Sequence, residues 1–298
     1  MATSPRRPYR RRTRPRDRLG DGLPLPGFQI GQKLIRLVVT DLDGTLLDEN
    51  GKVSQENIYA VALLAEMGIP TIAATARSPR SVRKISAAAG LGPLAICANG
   101  AVIYDIEGSG VLSHELIPAP VADEVIAVVR QKVPGAILAG EFLEEFYAEP
   151  GFFSRPIPGL NVPEIRALED HVGPGATKLI ARRTGLTSER LRNILAPALT
   201  PLVDITVSGP DWIEFAKHGV SKASGILEVC RIMGIETEHV AAVGDQRNDL
   251  TMLRLVGHPL TVANAHPELF TLAGQVLPHH NHSGFAAIVD YVATRKAV

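Results

Sequence analysis

Apolar and polar positions alternate in blocks along the chain, and the first blocks predict a parallel α/β sheet. Residues 34–40 form a short, mostly apolar and β-branched run, which is typical of a strand buried on both faces. Ser54 is suited to cap a helix whose apolar positions recur at helical spacing, and Gly68 is suited to end it. Residues 70–75 form a second apolar run. Strand, helix and strand in this order predict neighbouring parallel strands joined by a right-handed crossover.

The middle of the chain has a different pattern. Between residues 103 and 215, short strand-like runs alternate with helical ones, and proline and glycine cluster over residues 150–175. This pattern predicts a separate α+β unit with a loop-rich centre. The α/β pattern then resumes, with an amphipathic helix predicted over 221–233 and a strand over 240–243. We therefore expect an inserted domain at 103–215 and a core made of residues 31–102 and 216–298.

Composition changes the picture mainly at the N-terminus. The chain has 31 Lys and Arg and 31 Asp and Glu, so its formal net charge is zero. Residues 1–22 contain eight arginines and two aspartates, so their net charge is +6. The rest of the chain therefore carries a net charge of −6. Because residues 1–30 are rich in Arg and Pro, we predict that they form a disordered tail. The tail is either a dispensable extension, which we favour, or a weak anchor for nucleic acid or anionic lipid.

The remaining composition argues against several classes of protein. A mildly acidic body disfavours a nucleic-acid-binding surface on the folded part. Two cysteines, Cys97 and Cys230, are too few for a disulfide framework or a four-cysteine zinc site. The least charged stretch, 58–76, contains Glu66 and a break at 68–70, so we expect no membrane span there. Without a signal-peptide pattern, we expect a cytoplasmic protein, either a monomer or a homodimer.

Two carboxylates come directly after the first predicted strand. They belong to Asp41 and Asp43, and ligands of open α/β sheets bind at the carboxyl ends of strands. One carboxylate can attack as a nucleophile while the other transfers protons. Gly44 allows a sharp backbone turn, and the Thr45 hydroxyl can hold either the turn or a phosphate. The alternative is a solvated turn without a catalytic role.

A second acidic cluster follows the strand predicted at 240–243. Asp245 comes at the strand end, and Asp249 comes in the first turn of the next helix. Mg²⁺ prefers oxygen ligands in octahedral geometry, usually one or two carboxylates with waters and substrate phosphate. Asp41, the backbone carbonyl of Asp43 and Asp245 are able to supply such ligands, with Asp249 behind them. For Asp249, the alternative is a negative charge that simply favours the helix N-terminus.

A hydroxyl and a cation complete a possible phosphate pocket. Thr75 ends the second predicted strand, and Lys222 lies at the start of the helix predicted over 221–233. A lysine is unfavourable at a helix N-terminus, which indicates a functional partner. Its ammonium is able to neutralise phosphoryl oxygens and a nucleophilic carboxylate together. The alternative is an ordinary surface lysine.

These stretches resemble the motifs of a known family. Residues 41–47, Thr75 within 74–77, Lys222 and residues 244–252 resemble the four motifs of the haloacid dehalogenase superfamily, in the same order. Three further stretches resemble its Cof-type, type IIB phosphatases, at residues 99–101, 262–265 and 281–285. The resemblance covers residues 34 to about 290.

The resemblance implies a fold and a set of roles. The fold is α/β, a Rossmann-like core with a parallel sheet, interrupted by an α/β cap domain of the C2B type at 103–215. The reaction is Mg²⁺-dependent hydrolysis of a phosphate ester through a phosphoaspartate on Asp41, with Asp43 as general acid and base. The full assignments are as follows: catalytic residues Asp41, Asp43 and Lys222; substrate-binding residues Thr45, Thr75, Lys222 and Asn248; metal ligands Asp41, Asp43, Asp245 and Asp249.

The expected substrate is a small phosphorylated metabolite, with a sugar phosphate as the first expectation. The motifs leave three alternatives open. These are a relative specific for mannosyl-phosphoglycerate or sucrose phosphate, a phosphomutase, and a phosphate-binding regulator without turnover. Two positions depart from the family pattern, since Ala76 stands where the family usually has glycine and Ala223 stands where it often has glycine.

Overall fold

The computed structural model describes residues 34–143, 145–153, 162–163, 165–207 and 211–296, so the tail expected at 1–30 lies outside the described residues. The strands of this part of the chain are β1 Leu37–Thr40, β2 Thr71–Ala74, β3 Leu94–Cys97, β4 Val102–Asp105, β5 Gly110–His114, β6 Ile117–Pro118, β7 Ile137–Phe142, β8 Glu145–Ala148, β9 Gly175–Ala176, β10 Lys178–Arg182, β11 Asp204–Val207, β12 Trp212–Ala216, β13 Val240–Gly244, β14 His258–Val262 and β15 Gln275–Leu277. The helices are α1 Gln55–Glu66, α2 Pro79–Ala89, α3 Ala119–Lys132, α4 Ser188–Leu199, α5 Lys222–Met233, α6 Leu250–Leu255, α7 Pro267–Phe270 and α8 Ile288–Lys296. None of these described helices is long and apolar enough to cross a membrane.

The largest sheet has eight strands in the order β15-β14-β13-β1-β2-β3-β4-β5. Neighbouring strands from β15 to β3 are parallel, and β4 and β5 add to the edge as antiparallel strands. At the centre, Val39 of β1 lies opposite Ile72 on one side and Ala242 on the other. This sheet confirms the predicted Rossmann-like α/β core.

Helices cover both faces of the large sheet. On one face, Val38 joins a core that includes Leu64 of α1 and Val292 of α8. On the other face, Val39 joins a core that includes Ile226 of α5 and other side chains of α5, α6 and α7. Because β1 is buried on both faces, its first three residues are all apolar instead of alternating with polar ones.

A second sheet has five strands in the order β11-β12-β10-β7-β8, and its strands are antiparallel. One face packs on α3 and α4 through Leu179, Phe215 and other apolar side chains. Alternation along the strands turns Lys178 and Glu214 to the opposite face, which we call the open face. The open face reaches the large sheet, since Lys178 Nζ donates to the backbone oxygen of Ala76 at 3.2 Å.

The expected start of the inserted domain at residue 103 falls inside a strand of the large sheet. The chain reverses near Gly100 and returns beside β3, so that Ile103 lies opposite Ile96. β5 then extends the same sheet. A turn that leads to another strand of the same sheet has the same local sequence pattern as a turn that leads into an inserted domain. The sequence therefore did not distinguish the two. We propose that the insert begins after residue 114.

The parallel strands bring the residues that follow them to one edge of the sheet. β1 ends at Thr40, β2 at Ala74 and β13 at Gly244. The three strands are neighbours in the order β13, β1, β2. The loops after them, with α5 beside them, form the walls of the site described next.

Candidate active site

Asp41 lies at the centre of this edge of the sheet. Its backbone N–H donates to the oxygen of Val243 at 2.9 Å, which ties the end of β1 to β13. Its side chain is buried, and one carboxylate oxygen accepts a hydrogen bond from Lys222 Nζ at 2.6 Å. The nucleophile predicted from the sequence therefore has a fixed position, with one oxygen bound to an ammonium.

Lys222 is buried between two carboxylates. Its Nζ donates to Asp41 at 2.6 Å and to Asp249 at 2.5 Å. Burial alone would lower the pKa of this lysine, but Asp249 and Asp41 outweigh burial and raise it above its ordinary value. Lys222 is also the first residue of α5, whose N-terminus is capped by Ser221. The predicted partner of this lysine is thus a pair of carboxylates, which offsets the cost of a cation at a helix N-terminus.

Asp249 is fully engaged by its surroundings. One oxygen accepts from Lys222, and the other accepts the backbone N–H groups of Asp245 and Gln246 at 2.9 Å each. Asp245 has looser contacts, because its oxygens accept from the Thr45 hydroxyl at 3.0 Å and from the Gln246 amide at 3.1 Å. Asp249 therefore holds the loop after β13 in place, whereas Asp245 keeps lone pairs available.

The three buried carboxylates form a set of oxygen ligands. One oxygen from each of Asp41, Asp245 and Asp249 lies within 4.8 Å of the others. Burial raises the pKa of Asp41 well above its ordinary value and also raises that of Asp245, and Asp249 adds to both rises. Lys222 pairs with two of these carboxylates and offsets part of their negative charge. A hard divalent cation such as Mg²⁺ fits both the oxygen donors and the excess charge.

Asp43 lies apart from this cluster. Its side chain is 57% exposed and forms a two-point ion pair with Arg77, with Nε–Oδ2 at 2.7 Å and Nη2–Oδ1 at 2.5 Å. The pair raises the pKa of Arg77, and the hydrogen bond to Asp43 is the largest cause of this rise. The predicted proton-transfer group is thus near the site but bound to an arginine that the sequence analysis did not single out.

The predicted substrate-binding residues have different surroundings. Thr45 is buried and donates to Asp245, so it belongs to the acidic cluster. Thr75 is buried at the end of β2, and its hydroxyl accepts the backbone N–H of Arg77 at 3.2 Å. Asn248 donates to the side-chain oxygen of Asn99 at 3.1 Å, farther along the cleft.

The cleft between the two sheets has polar walls that sequence reasoning largely missed. Glu214 accepts from Lys178 at 3.2 Å and from Asn99 at 3.4 Å, and Lys178 also pairs with Glu141 at 3.6 Å. A cavity of about 470 Å³ lies beside these groups, and its lining includes Lys222. Asn99 belongs to a stretch that the family resemblance singled out. No sequence motif singled out Lys178, Glu141 or Glu214. These residues lie on three different strands, and only the pairing register brings them together.

Gly44 makes the turn after Asp41 possible. Its φ is +79°, and a Cβ atom there would lie 2.4 Å from Oδ2 of Asp245. The Asn264 amide fixes the same turn by donating to the backbone oxygen of Gly44 at 2.8 Å. The glycine therefore lets the turn pass close to a carboxylate of the acidic cluster.

We expect Gly44→Ala to lower kcat/KM for the expected phosphate-ester hydrolysis by about 10²-fold, because a displacement of about 1 Å at a reacting centre can have this effect. The matched control is Gly51→Ala. Gly51 has a similar φ of +71°, but no atom lies within 4 Å of its added Cβ. The two variants therefore share the backbone strain and differ in the clash with Asp245. Equal kcat/KM values for the two variants would contradict this explanation.

Comparisons with known proteins agree with the geometry. A family model of haloacid dehalogenase-like hydrolases matches residues 38–289. An HMP-PP phosphatase of Serratia proteamaculans is 27% identical over 260 residues, covering 82% of this chain and 89% of that protein. TM0651 from Thermotoga maritima has a similar fold, with a TM-score of 0.73, 23% identity, and coverage of 87% of this chain and 97% of that one. A HAD subclass IIB sugar phosphatase, BT4131, has a TM-score of 0.74 and 19% identity, covering 87% of this chain and 99% of that one.

The family match spans most of the chain, including the strand ends that carry Asp41, Thr75 and Asp245. The resemblance to Cof-type phosphatases seen in the sequence is thereby confirmed. The chain belongs to the haloacid dehalogenase-like hydrolases and is an enzyme of their phosphatase type.

Proposed function

We propose that this phosphatase hydrolyses the phosphate ester of a small metabolite through Asp41, with Mg²⁺ as cofactor. The observation that carries the proposal is the position of Asp41. Its carboxylate is buried at the end of β1, one oxygen is held by Lys222, and two further carboxylates lie close by. A nucleophile fixed in this way needs little reorientation before it attacks.

The chain supplies the residues for two successive displacements. The free oxygen of Asp41 attacks phosphorus, an Asp41–phosphorus bond forms, and the bond from phosphorus to the leaving oxygen breaks. Asp43 gives its proton to the leaving oxygen, and then removes a proton from the water that attacks the aspartyl phosphate. This second attack restores Asp41 and releases inorganic phosphate. Lys222 offsets negative charge on Asp41 and the phosphoryl group throughout.

Asp43 has to exchange its partner during this cycle. Both of its carboxylate oxygens accept hydrogen bonds from Arg77, whereas proton transfer requires one of them to face the leaving oxygen. Asp43 therefore separates from Arg77 when substrate occupies the cleft. Its exposed side chain is free to make this movement without disturbing the buried cluster.

The contacts also divide the acidic residues by role. Asp41 and Asp245, with the backbone carbonyl of Asp43, are the proposed Mg²⁺ ligands. Asp249 stays a predicted ligand, but it accepts three hydrogen bonds, one of them from the Lys222 ammonium, whereas Asp245 accepts two from uncharged groups. We propose that Asp249 positions Lys222 and the loop carrying Asp245. When bound, the metal supplies positive charge that draws the phosphoryl oxygens and the nucleophile together.

The first candidate substrate class is a sugar phosphate. The cleft beside Lys222 is walled by Asn248, Asn99, Glu214 and Lys178. Amide, carboxylate and ammonium groups together are able to donate to and accept from the hydroxyl groups of a sugar. A panel of phosphate esters assayed with Mg²⁺ tests this class. Phosphate binding without turnover of any ester would support the regulator alternative instead.

Mg²⁺ binding is testable without turnover. At about 100 times its Kd, we expect Mg²⁺ to stabilise the fold by about 2.7 kcal/mol, read as a rise in Tm. Asp245→Asn should lose most of this rise, because it removes a charged ligand. The matched control is Asp123→Asn, an exposed position on α3, which should keep the full rise. Full phosphatase activity in EDTA, or an unchanged shift in Asp245→Asn, would refute the metal assignment.

A further inference from the structure

We propose that Asn264 is a positioning residue for proton transfer by Asp43, and that it acts by tying the turn at residues 42–47 to the C-terminal segment 278–287. This inference rests on the proposed phosphatase function, in which Asp43 gives a proton to the leaving oxygen, and it names what holds that group in place. Three observations carry it: the exposure of the Asp43 side chain, the hydrogen bonds to carbonyl groups of the turn, and the packing of the segment behind them.

The side chain of Asp43 does little to fix its own backbone. It is 57% exposed, and it forms an ion pair with Arg77 from which it separates in the proposed cycle. Within the turn, the backbone N–H groups of residues 45–47 all donate to the oxygen of Leu42. These bonds set the internal shape of the turn. The position of the turn in the site therefore depends on the contacts that its other carbonyl groups make with the rest of the protein.

Asn264 connects the turn to the C-terminal segment. Its Nδ2 donates to the backbone oxygen of Gly44 at 2.8 Å, and its Oδ1 accepts the backbone N–H of His280 at 3.0 Å. A side-chain amide has both the donor and the acceptor that these two contacts need. Because Gly44 directly follows Asp43, this amide holds the residue next to the proposed proton donor.

Two further side chains tie the later half of the turn to the same segment. Asn57 donates to the backbone oxygen of Leu46 at 2.9 Å and accepts the backbone N–H of Ala286 at 3.0 Å. Nδ1 of His280 lies 2.8 Å from the backbone oxygen of Leu47. Since a carbonyl oxygen only accepts, this nitrogen is the donor of the bond. The turn is thus held at three carbonyl groups.

The C-terminal segment is packed tightly enough to serve as an anchor. Phe285 is fully buried, and it belongs to the same apolar core as Leu42 and Leu47 of the turn. At Gly284, an added Cβ would collide with the backbone oxygen of Pro278, so the segment folds closely back on itself. Close packing of this kind transmits a displacement instead of absorbing it. A change at Asn264 should therefore move the turn and leave the segment in place.

Leaving groups of different basicity isolate the step that the inference concerns. Phenyl phosphate releases a basic oxygen that benefits from a proton, whereas 2,4-dinitrophenyl phosphate releases a stabilised anion that leaves without one. We define the leaving-group ratio as kcat/KM for the dinitrophenyl ester divided by kcat/KM for the phenyl ester. Since kcat/KM covers only the steps up to phosphoryl transfer to Asp41, this ratio reports proton donation and not the later attack of water.

Asp43→Asn sets the scale of the effect. General acid catalysis contributes about 10²-fold or more, so we expect this variant to raise the leaving-group ratio by about 10²-fold. Asn264→Asp keeps the size of the side chain and the acceptor for His280, but it places an oxygen against the backbone oxygen of Gly44. Because the proton donor is then misplaced and not removed, we expect the ratio to rise by about tenfold.

The matched control is Asn281→Asp. Asn281 lies on the same segment, and its exposed side chain contacts Glu49, which lies outside the turn. Exposed substitutions of this kind have small effects, so the ratio should stay within about twofold of the wild-type value. His280→Ala provides the same test if Asn264→Asp does not fold, because it removes the donor to Leu47.

The outcomes separate the inference from the function on which it rests. A raised ratio in Asp43→Asn with an unchanged ratio in Asn264→Asp would overturn the inference and leave the proposed function intact. Equal rises in Asn264→Asp and Asn281→Asp would also overturn the inference. An unchanged ratio in Asp43→Asn would refute proton donation by Asp43, and with it the inference. A raised ratio in Asp43→Asn and Asn264→Asp, with Asn281→Asp at the wild-type value, is the result we expect.

Discussion

Asp41→Asn is expected to lower phosphatase kcat by at least about 10³-fold, the scale seen when a nucleophile is removed from an enzyme. An amide cannot form the acyl phosphate, and it is a poorer ligand for a cation. We expect the fold to survive. Burial disfavours the charged form of Asp41, as the raised pKa of its carboxyl group indicates, and an uncharged amide avoids this cost. We expect Tm to change by no more than about 2 °C, which corresponds to about 1 kcal/mol in a protein of this size.

The measurement is steady-state hydrolysis of a small aryl phosphate with Mg²⁺, together with thermal unfolding. Asp123→Asn is the control for the same chemical change at an exposed position. Its kcat should equal that of the wild type. A kcat of Asp41→Asn within tenfold of the wild-type value would contradict the covalent mechanism.

Lys222→Met should have the largest effect on stability. The substitution leaves Asp41 and Asp249 buried without their shared cation. Removing one partner of a buried ion pair typically costs about 3–5 kcal/mol, and we expect a loss of that size in denaturant unfolding without metal. Activity should be lost as well. Adding Asp249→Asn to Lys222→Met should restore part of the stability, since it removes one of the unpaired charges.

The matched control is Lys217→Met. Lys217 forms an ion pair with Glu115, and both side chains are nearly half exposed. Exposed pairs contribute about 1 kcal/mol or less, so this variant should remain close to the wild type. Similar losses for the two lysines would show that Lys222 is not stabilised by its buried carboxylates in the way proposed.

The sequence predicted those parts of the molecule whose signals are local. An apolar run followed by an aspartate predicts a buried strand and the point at which it ends, as before Asp41 and Asp245. The helix predicted over 221–233 appears as α5, Lys222–Met233, with Ser221 as its cap. The parallel core followed from the same alternation of elements. In each case, the prediction needed only residues that are close together in the sequence.

Contacts between distant segments were not predictable in this way. Lys178, Glu141 and Glu214 meet because three antiparallel strands share one register, and a one-residue slip would turn them to the opposite face. The aromatic cluster of the open face depends on the same register, so the sequence did not predict it. Arg77 was visible in its motif, but nothing local indicated that it pairs with Asp43.

The order of strands in the large sheet has a consequence for synthesis of the chain. β1 pairs with β2 on one side, but its other neighbour, β13, is encoded far downstream, and 200 residues separate Thr45 from its partner Asp245. At about 5–20 residues per second, a ribosome needs about 10–40 s to make that interval. During this time, β1 presents an open apolar edge, which is a template for mispairing. We therefore expect a chain that ends before Gly244 to leave this edge of β1 unpaired and to be prone to aggregation.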